Sequence, residues 1–167
     1  MIRSHVAVHR AREPNPYRIS AARVEKTWYL RFPERTRPDA EAFFVWGGFG
    51  YIVGKTRTND SVGIYRYPLS ASGSSIPLEK VTDVRVAAPV TAADISSNGE
   101  RLALLTEEGA YALFINGDVS QAGSAPRTFT RFVNELMEGA CFVGNGLLVS
   151  AEARQIYLFT APAFRVD

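Results

Sequence analysis

The stretch Val90–Asn116, VTAADISSNGERLALLTEEGAYALFIN, alternates short apolar runs with turn residues. Two turns are predicted at Ser97-Asn98-Gly99 and Glu107-Glu108-Gly109, because Asn and Gly tolerate the positive φ angles of tight hairpins. Between them, Arg101–Thr106 is too short for a typical helix, and its apolar character predicts a strand covered on both faces. With a strand on either side and Arg127–Val133 as an outer strand, the stretch predicts a four-stranded antiparallel meander.

The same order of strands and turns recurs on both sides of this stretch. When Glu41, Ala92 and Glu138 are aligned, the units are about 51 and 46 residues apart, within the range of propeller blades. In each unit the second strand ends about 14 residues after the aligned position, at Lys55, Thr106 and Glu152.

This repeat predicts an all-β fold: a half-propeller with about two complete and two partial blades, in a single domain over residues 1–167. The complete blades are expected at 39–87 and 90–133, and the partial blades at 1–33 and 137–167. In the first partial blade, Pro16–Ser20 matches a third strand and Lys26–Pro33 an outer strand. Leu69–Pro77 is expected to be a loop, because it is rich in Ser and Gly.

The composition limits the classes of partner. The net charge is only +2, from 19 basic and 17 acidic residues. Arginines are concentrated in the N-terminal third, but no recognition motif accompanies them, so a solvated β surface is preferred over nucleic-acid binding. The sequence has no apolar run of transmembrane length and no signal peptide, which predicts a cytoplasmic chain without a membrane partner. A removed upstream leader would instead imply a secreted or periplasmic protein.

Cys141 is the one cysteine of the chain. A single thiol excludes an internal disulfide and a cysteine-based metal site. Because the residue lies in an apolar strand, we expect a buried and unreactive thiol.

The unit Asp94-Ile95-Ser96-Ser97-Asn98-Gly99 with Arg101-Leu102-Ala103-Leu104 resembles blades of TolB-like and other six-bladed β-propellers, whose turn is usually Ser-Pro-Asp-Gly. The stretches Pro38–Ala42, Val90–Ser96 and Met137–Ala140 look like blade starts of uncharacterised bacterial six-bladed propeller proteins. The resemblance covers nearly the whole chain, although Ser-Asn replaces the usual Pro-Asp of the turn. The chain has about half the length that such a ring needs.

The length of the chain bears directly on whether one copy can close a ring. A propeller closes when its last blade is completed by a strand from the other terminus. Two complete and two partial blades do not close a six-bladed ring, so we expect two copies of the chain to build one ring. An open array of three or four sheets with its edges covered by loops is an alternative, as is a fragment of a longer protein.

The resemblance also suggests candidate site residues, because first strands of propeller blades line the central channel. Glu41, Asp94 and Glu138 are the channel candidates, and three converging carboxylates could bind calcium or supply an acid and a base for hydrolysis. Alternatively, these side chains hydrogen-bond to backbone groups of the next blade and tie the blades together. Lys55 and Glu152 occupy equivalent ends of second strands and are further candidates at the channel mouth.

The preferred function is a non-catalytic binding or assembly module without a cofactor. It would form a homodimer and recognise a protein or a small-molecule ligand. The sequence contains no Gly-x-Ser-x-Gly elbow, His-Glu-x-x-His, P-loop or dinucleotide-binding fingerprint. The alternative is a calcium-dependent hydrolase that uses Glu41 and Glu138, and a third interpretation is a truncated relative of a longer propeller.

Overall fold

The fold is described in a computed structural model for residues 5–18, 21–33, 39–55, 61–132 and 136–164. This part of the chain is all-β, as the sequence predicts, apart from two 3-10 segments at Val119–Gly123 and Ala161–Phe164. Its strands are β1 (His5–Ala11), β2 (Val24–Arg31), β3 (Asp39–Trp46), β4 (Phe49–Lys55), β5 (Ser61–Pro68), β6 (Ile76–Pro77), β7 (Glu79–Arg85), β8 (Val90–Ile95), β9 (Arg101–Thr106), β10 (Gly109–Phe114), β11 (Arg127–Arg131), β12 (Met137–Val143), β13 (Gly146–Ala151) and β14 (Ile156–Phe159).

The strands form four small open sheets. The first sheet has the order β1-β2-β6, the second β3-β4-β5-β7, the third β8-β9-β10-β11, and the fourth β12-β13-β14. Neighbouring strands are antiparallel, except that β2 and β6 are parallel.

The parallel pair corrects the expectation that Leu69–Pro77 is entirely a loop. Leu30 and Arg31 of β2 pair with Ile76 and Pro77, and the Leu78 N–H donates to the Arg31 carbonyl at 2.9 Å. Because this strand joins residues far apart in the chain, the local Ser/Gly composition does not reveal it.

The expected third strand at Pro16–Ser20 is also wrong over its described residues. Pro16–Arg18 forms a turn between β1 and β2. The Tyr17 N–H donates to the Asn15 side-chain oxygen at 2.9 Å, and the Arg18 N–H donates to the Asn15 carbonyl at 3.1 Å. An asparagine that bonds the backbone two residues later favours a turn over an extended strand. Ile19 and Ser20 lie outside the described residues.

Strand β9 confirms the prediction of a strand that is covered on both faces. Leu102 and Leu104 pack in the apolar cluster shared with the second sheet. The alternate residues Ala103 and Leu105 pack in the cluster shared with the fourth sheet. All four are completely buried, and full burial of one leucine side chain contributes about 1.5–3 kcal/mol.

The first strand of the second, third and fourth sheets has a register shift near its start. One extra residue interrupts the pairing between Ala40 and Ala42, between Val90 and Ala92, and between Met137 and Gly139. The extra residues are Glu41, Thr91 and Glu138. The structurally equivalent residue of the third sheet is therefore Thr91, and the alignment of Ala92 with the two glutamates is wrong by one position.

The four sheets pack face to face in chain order around three apolar clusters. Trp28, Leu30 and Phe32 of the N-terminal part pack on β4 and β5. A second cluster joins the second and third sheets, and a third cluster joins the third and fourth sheets. The first strands β3 and β8 contact each other, as do β8 and β12. The first strands therefore lie side by side along the stack.

Candidate functional site

The predicted site residues lie on or next to the first and second strands of the last three sheets. Glu41 lies on β3, Asp94 on β8 and Glu138 on β12, while Lys55 ends β4 and Glu152 follows β13. The side chains of the three glutamates are exposed, whereas Asp94 is partly buried. The residues therefore lie in different environments.

Asp94 forms a hydrogen bond between two sheets. Its Oδ2 atom accepts from the Phe142 N–H on β12 at 2.7 Å. A carboxylate that accepts a backbone N–H forms a charge-assisted bond, which is stronger than a neutral one. Of the two roles considered for Asp94, this contact matches the tie to the neighbouring sheet.

Thr91 forms the second such bond and was not recognised from the sequence. Its side chain is buried, and its Oγ1 atom donates to the Met137 carbonyl at 2.7 Å. Thr91 is the extra residue of the β8 bulge. Bulges redirect side chains. The one-residue register shift of β8 is therefore the signal that identifies this threonine, and the signal appears only in the structure.

The described residues do not provide a cluster for a metal ion. Within the described ranges, no three His, Cys, Asp or Glu side chains lie close enough together to hold one. No helix in the same ranges has the length and apolar character needed to cross a bilayer.

The outer face of the fourth sheet is apolar and exposed. We call it the end face, and its apolar residues are Cys141, Val143, Leu148, Ile156 and Leu158. Cys141, Leu148 and Leu158 pair directly across the three strands, which places their side chains on one side of the sheet. Leu158 is 56% exposed and Ile156 is 68% exposed. Isolated exposed apolar residues are normal, but contiguous ones mark an interaction surface.

Cys141 is exposed, so the expectation of a buried thiol is wrong. An apolar strand predicts burial only when another element covers its face. No described residue of the chain covers the end face as the third sheet covers the other side of the fourth.

The end face is equivalent to faces that are buried within the chain. Phe44, Asp94 and Cys141 each lie three residues after the bulge residue of their strand. Phe44 and its partner Tyr51 are buried between the second and third sheets, and Ala103, the partner of Asp94, is buried between the third and fourth. The corresponding positions of the fourth sheet point to solvent.

The opposite end of the stack has a smaller uncovered area on β3. Phe43 pairs with Ile52, which in turn pairs with Tyr65, and the first sheet covers the latter two. Phe43 lies outside that cluster and is 40% exposed, while Val45 on the same side of β3 is 48% exposed. The first sheet therefore covers only part of the first strand of the second sheet: Ala40 packs against their common cluster, whereas Phe43 and Val45 stay exposed.

Comparisons with known proteins leave this chain without an assigned family. No protein-family model matches it, and no curated protein sequence matches it. Among solved structures, the crystal structure of the computationally designed Ika4 protein aligns with 78% of this chain and 96% of that chain, at 8% sequence identity and a TM-score of 0.42. A similarity at this level carries no argument about fold or function.

Proposed function

We propose that the chain is a non-catalytic binding and assembly module of the propeller type, in which two copies join into one ring of sheets. The observation that carries this proposal is the end face. It is apolar and exposed, and its positions are equivalent to positions that are buried between neighbouring sheets elsewhere in the chain. A covering sheet would complete the pattern.

The arrangement of the first strands supports the propeller part of the proposal. Strands β3, β8 and β12 lie side by side, and each has a one-residue bulge near its start. Units that lie side by side through their first strands match the arrangement of blades around a central channel, and the shared bulge supports their being repeats of one unit.

A second copy of the chain fits the end face because the stack has a complementary uncovered area at its other end. Under two-fold symmetry, the end face of one copy meets Phe43 and Val45 of the other, and the same contact is repeated at the second junction. Burying this apolar area would contribute about 25 cal/mol per Å². Two copies would cover both of these apolar areas, which a single chain leaves exposed.

In such a ring, the channel candidates of both copies would contact the same ligand. Glu41 and Glu138 are exposed residues on first strands, so both copies would present them toward the central axis. Asp94 would contribute less, because its carboxylate already accepts the Phe142 N–H. Lys55 and Glu152 remain candidates at the channel mouth, and the ligand is a protein segment or a small molecule.

The hydrolase alternative gains no supporting observation. It requires calcium held by channel carboxylates, and the described part of the chain brings no three potential ligands together.

The molar mass in solution tests the assembly. We expect light scattering over a dilution series to give twice the 18.4 kDa mass of the chain. Val143→Lys places a charge on the end face, where burial without a partner is unfavourable, and should give a monomer.

Val24→Lys is the matched control. Val24 is a strand valine of nearly equal exposure, 50% against 51% for Val143, and it lies on the first sheet, away from the end face. This variant should remain dimeric, and far-UV circular dichroism should show that both variants are folded. A wild-type protein that is monomeric at every concentration, or a dimeric Val143→Lys variant, would contradict the proposal.

A further inference from the structure

A cleft lies at the outer edge of the junction between the second and third sheets. Strands β7 and β11 are the edge strands of these sheets, and the cleft lies where β7 ends and β11 begins. The cleft is shallow and open to solvent, with a volume of about 390 Å³, and its lining residues are Arg85, Val86, Ala87, Tyr111 and Arg127. Two of the five are arginines, and this composition suggests a site for an anion.

Arg127 is held in place at this cleft. Its Nη1 atom donates to the Arg85 carbonyl at 2.6 Å, and its guanidinium lies 5.5 Å from the centre of the Tyr111 ring. A guanidinium has five N–H donors in a planar fork. The bond to Arg85 therefore leaves most of the fork available for a ligand.

Tyr111 adds a neutral donor to the same cleft. Its hydroxyl oxygen accepts from the Ala87 N–H at 3.1 Å. Because that bond uses a lone pair of the oxygen, the hydroxyl hydrogen can still donate to a ligand. The ring also packs against Phe129, with 4.5 Å between the ring centres, which limits its movement.

Within the described ranges, no acidic side chain forms an ion pair with the arginines of the cleft. Asp83 lies two residues before Arg85 on β7, but it pairs with Lys80 at 2.7 Å. Among the described residues, the ion pairs are those of Glu25, Glu79 and Asp83, and none of them involves Arg85 or Arg127. Two arginines that form no ion pair with a described acidic residue favour a ligand with more than one negative charge.

We propose that this cleft binds a phosphate group, either free or as the monoester of a small molecule. Arg127 would contact the phosphate oxygens through its fork, Arg85 would add a second charge, and the Tyr111 hydroxyl would donate to a third oxygen. Arginine matches phosphate geometry with two parallel hydrogen bonds, and a phosphate monoester carries a charge of about −1.5 to −2 at neutral pH. The volume of the cleft leaves room for groups beyond the phosphate itself, which favours the monoester.

A titration followed by NMR tests the site. The backbone amides of Val86 and Ala87 are the reporters, inorganic phosphate and glycerol phosphate are the ligands, and sodium chloride keeps the ionic strength constant. We expect saturable shifts in the millimolar range or tighter, with glycerol phosphate binding more tightly than inorganic phosphate. Acetate should bind more weakly than both, because it carries a single charge.

Three variants and one control assign the contacts. Arg127→Gln and Arg85→Gln should each weaken binding about tenfold, since a hydrogen bond to a charged group is stronger than a neutral one. Tyr111→Phe should weaken it about threefold. Arg131→Gln, which changes another exposed arginine of β11 outside the cleft, should bind like the wild type. Equal binding by Arg85→Gln and the wild type, or no saturable shift with either phosphate ligand, would overturn the proposal.

Discussion

At the residue scale, Tyr67 places its hydroxyl group in the protein core. The side chain is completely buried on β5, and among the described residues its hydroxyl has no hydrogen-bond partner. The ring fits because Gly50 lies opposite, where an added Cβ would meet the tyrosine ring and hydroxyl. Trp28 packs on the same ring, with 5.7 Å between the ring centres. The surrounding side chains therefore accommodate the aromatic ring of Tyr67, but among the described residues nothing forms a hydrogen bond with its hydroxyl.

The buried hydroxyl makes stability sensitive to alkaline pH. Burial raises the pKa of Tyr67 from 10.0 to about 12. Below pH 10 the hydroxyl is protonated in the folded and the unfolded chain, so it adds no pH dependence. Between pH 10 and about pH 12 the unfolded chain releases the proton and the folded chain keeps it. The free energy of unfolding therefore falls as pH rises, by about 1.4 kcal/mol per pH unit for this group.

We predict that Tyr67→Phe stabilises the protein, and more so at pH 11 than at pH 8. At pH 8 the gain should be up to about 1 kcal/mol, because an unpaired buried hydroxyl is unfavourable. At pH 11 the difference should grow by about 1 kcal/mol, because the variant cannot ionise. Urea unfolding at the two pH values measures both.

Tyr17→Phe is the control, since Tyr17 is almost fully exposed in the turn after β1. It should change neither the stability nor its pH dependence. A loss of more than 1 kcal/mol in Tyr67→Phe at pH 8 would show that the hydroxyl has a partner.

At the scale of elements, β8 is attached to β12 by more than apolar packing. The two ties are the Asp94 bond to the Phe142 N–H and the Thr91 bond to the Met137 carbonyl. Both run from a side chain of the third sheet to the backbone of the fourth. They fix the position of one sheet along the other, which non-directional apolar contacts alone do not do.

We predict that Asp94→Ala destabilises the protein by about 1–3 kcal/mol, because it leaves the Phe142 N–H without its acceptor. Asp94→Asn retains a carbonyl oxygen that can accept the same N–H, and should lose less than half as much. The free energies of unfolding in urea measure the difference. If both variants matched the wild type, the tie would contribute nothing, and a channel role for Asp94 would deserve a new test.

The elements also show what the sequence could predict. The apolar run of β9 between two glycine turns predicts its bounds and its burial, because those signals are local. The bulge in β8 is not visible in the sequence. One extra residue moves the side chains before it to the opposite face of the sheet, but it does not change the composition of the strand. Thr91 was overlooked for this reason. Strand β6 was missed because its partner β2 is distant in the chain.

At the scale of the whole molecule, coverage of a face is the property that sequence patterns predict least well. The apolar run Ala140–Val143 in β12 led to the expectation of a buried thiol at Cys141. An apolar run does not say whether another element covers each face of the strand. In this chain the third sheet covers one face of the fourth, and the end face remains exposed.

If a second copy covers the end face, unfolding must depend on protein concentration. Association stabilises the folded state by mass action, so the midpoint temperature should rise with concentration. For a dimer of this size, a tenfold increase should raise it by roughly 2 °C, from about 1.4 kcal/mol of added stability and the typical entropy of unfolding per residue. Calorimetry of the wild type from dilute to concentrated solutions measures this slope.

The slope should disappear in Val143→Lys and remain in Val24→Lys, since only the first places a charge on the end face. A variant that is monomeric unfolds in a unimolecular step, and its midpoint does not depend on concentration. At low concentration the wild type should approach the Val143→Lys midpoint, because dilution and mutation remove the same contact. A constant wild-type midpoint would show instead that the single chain is stably folded with its apolar end face exposed.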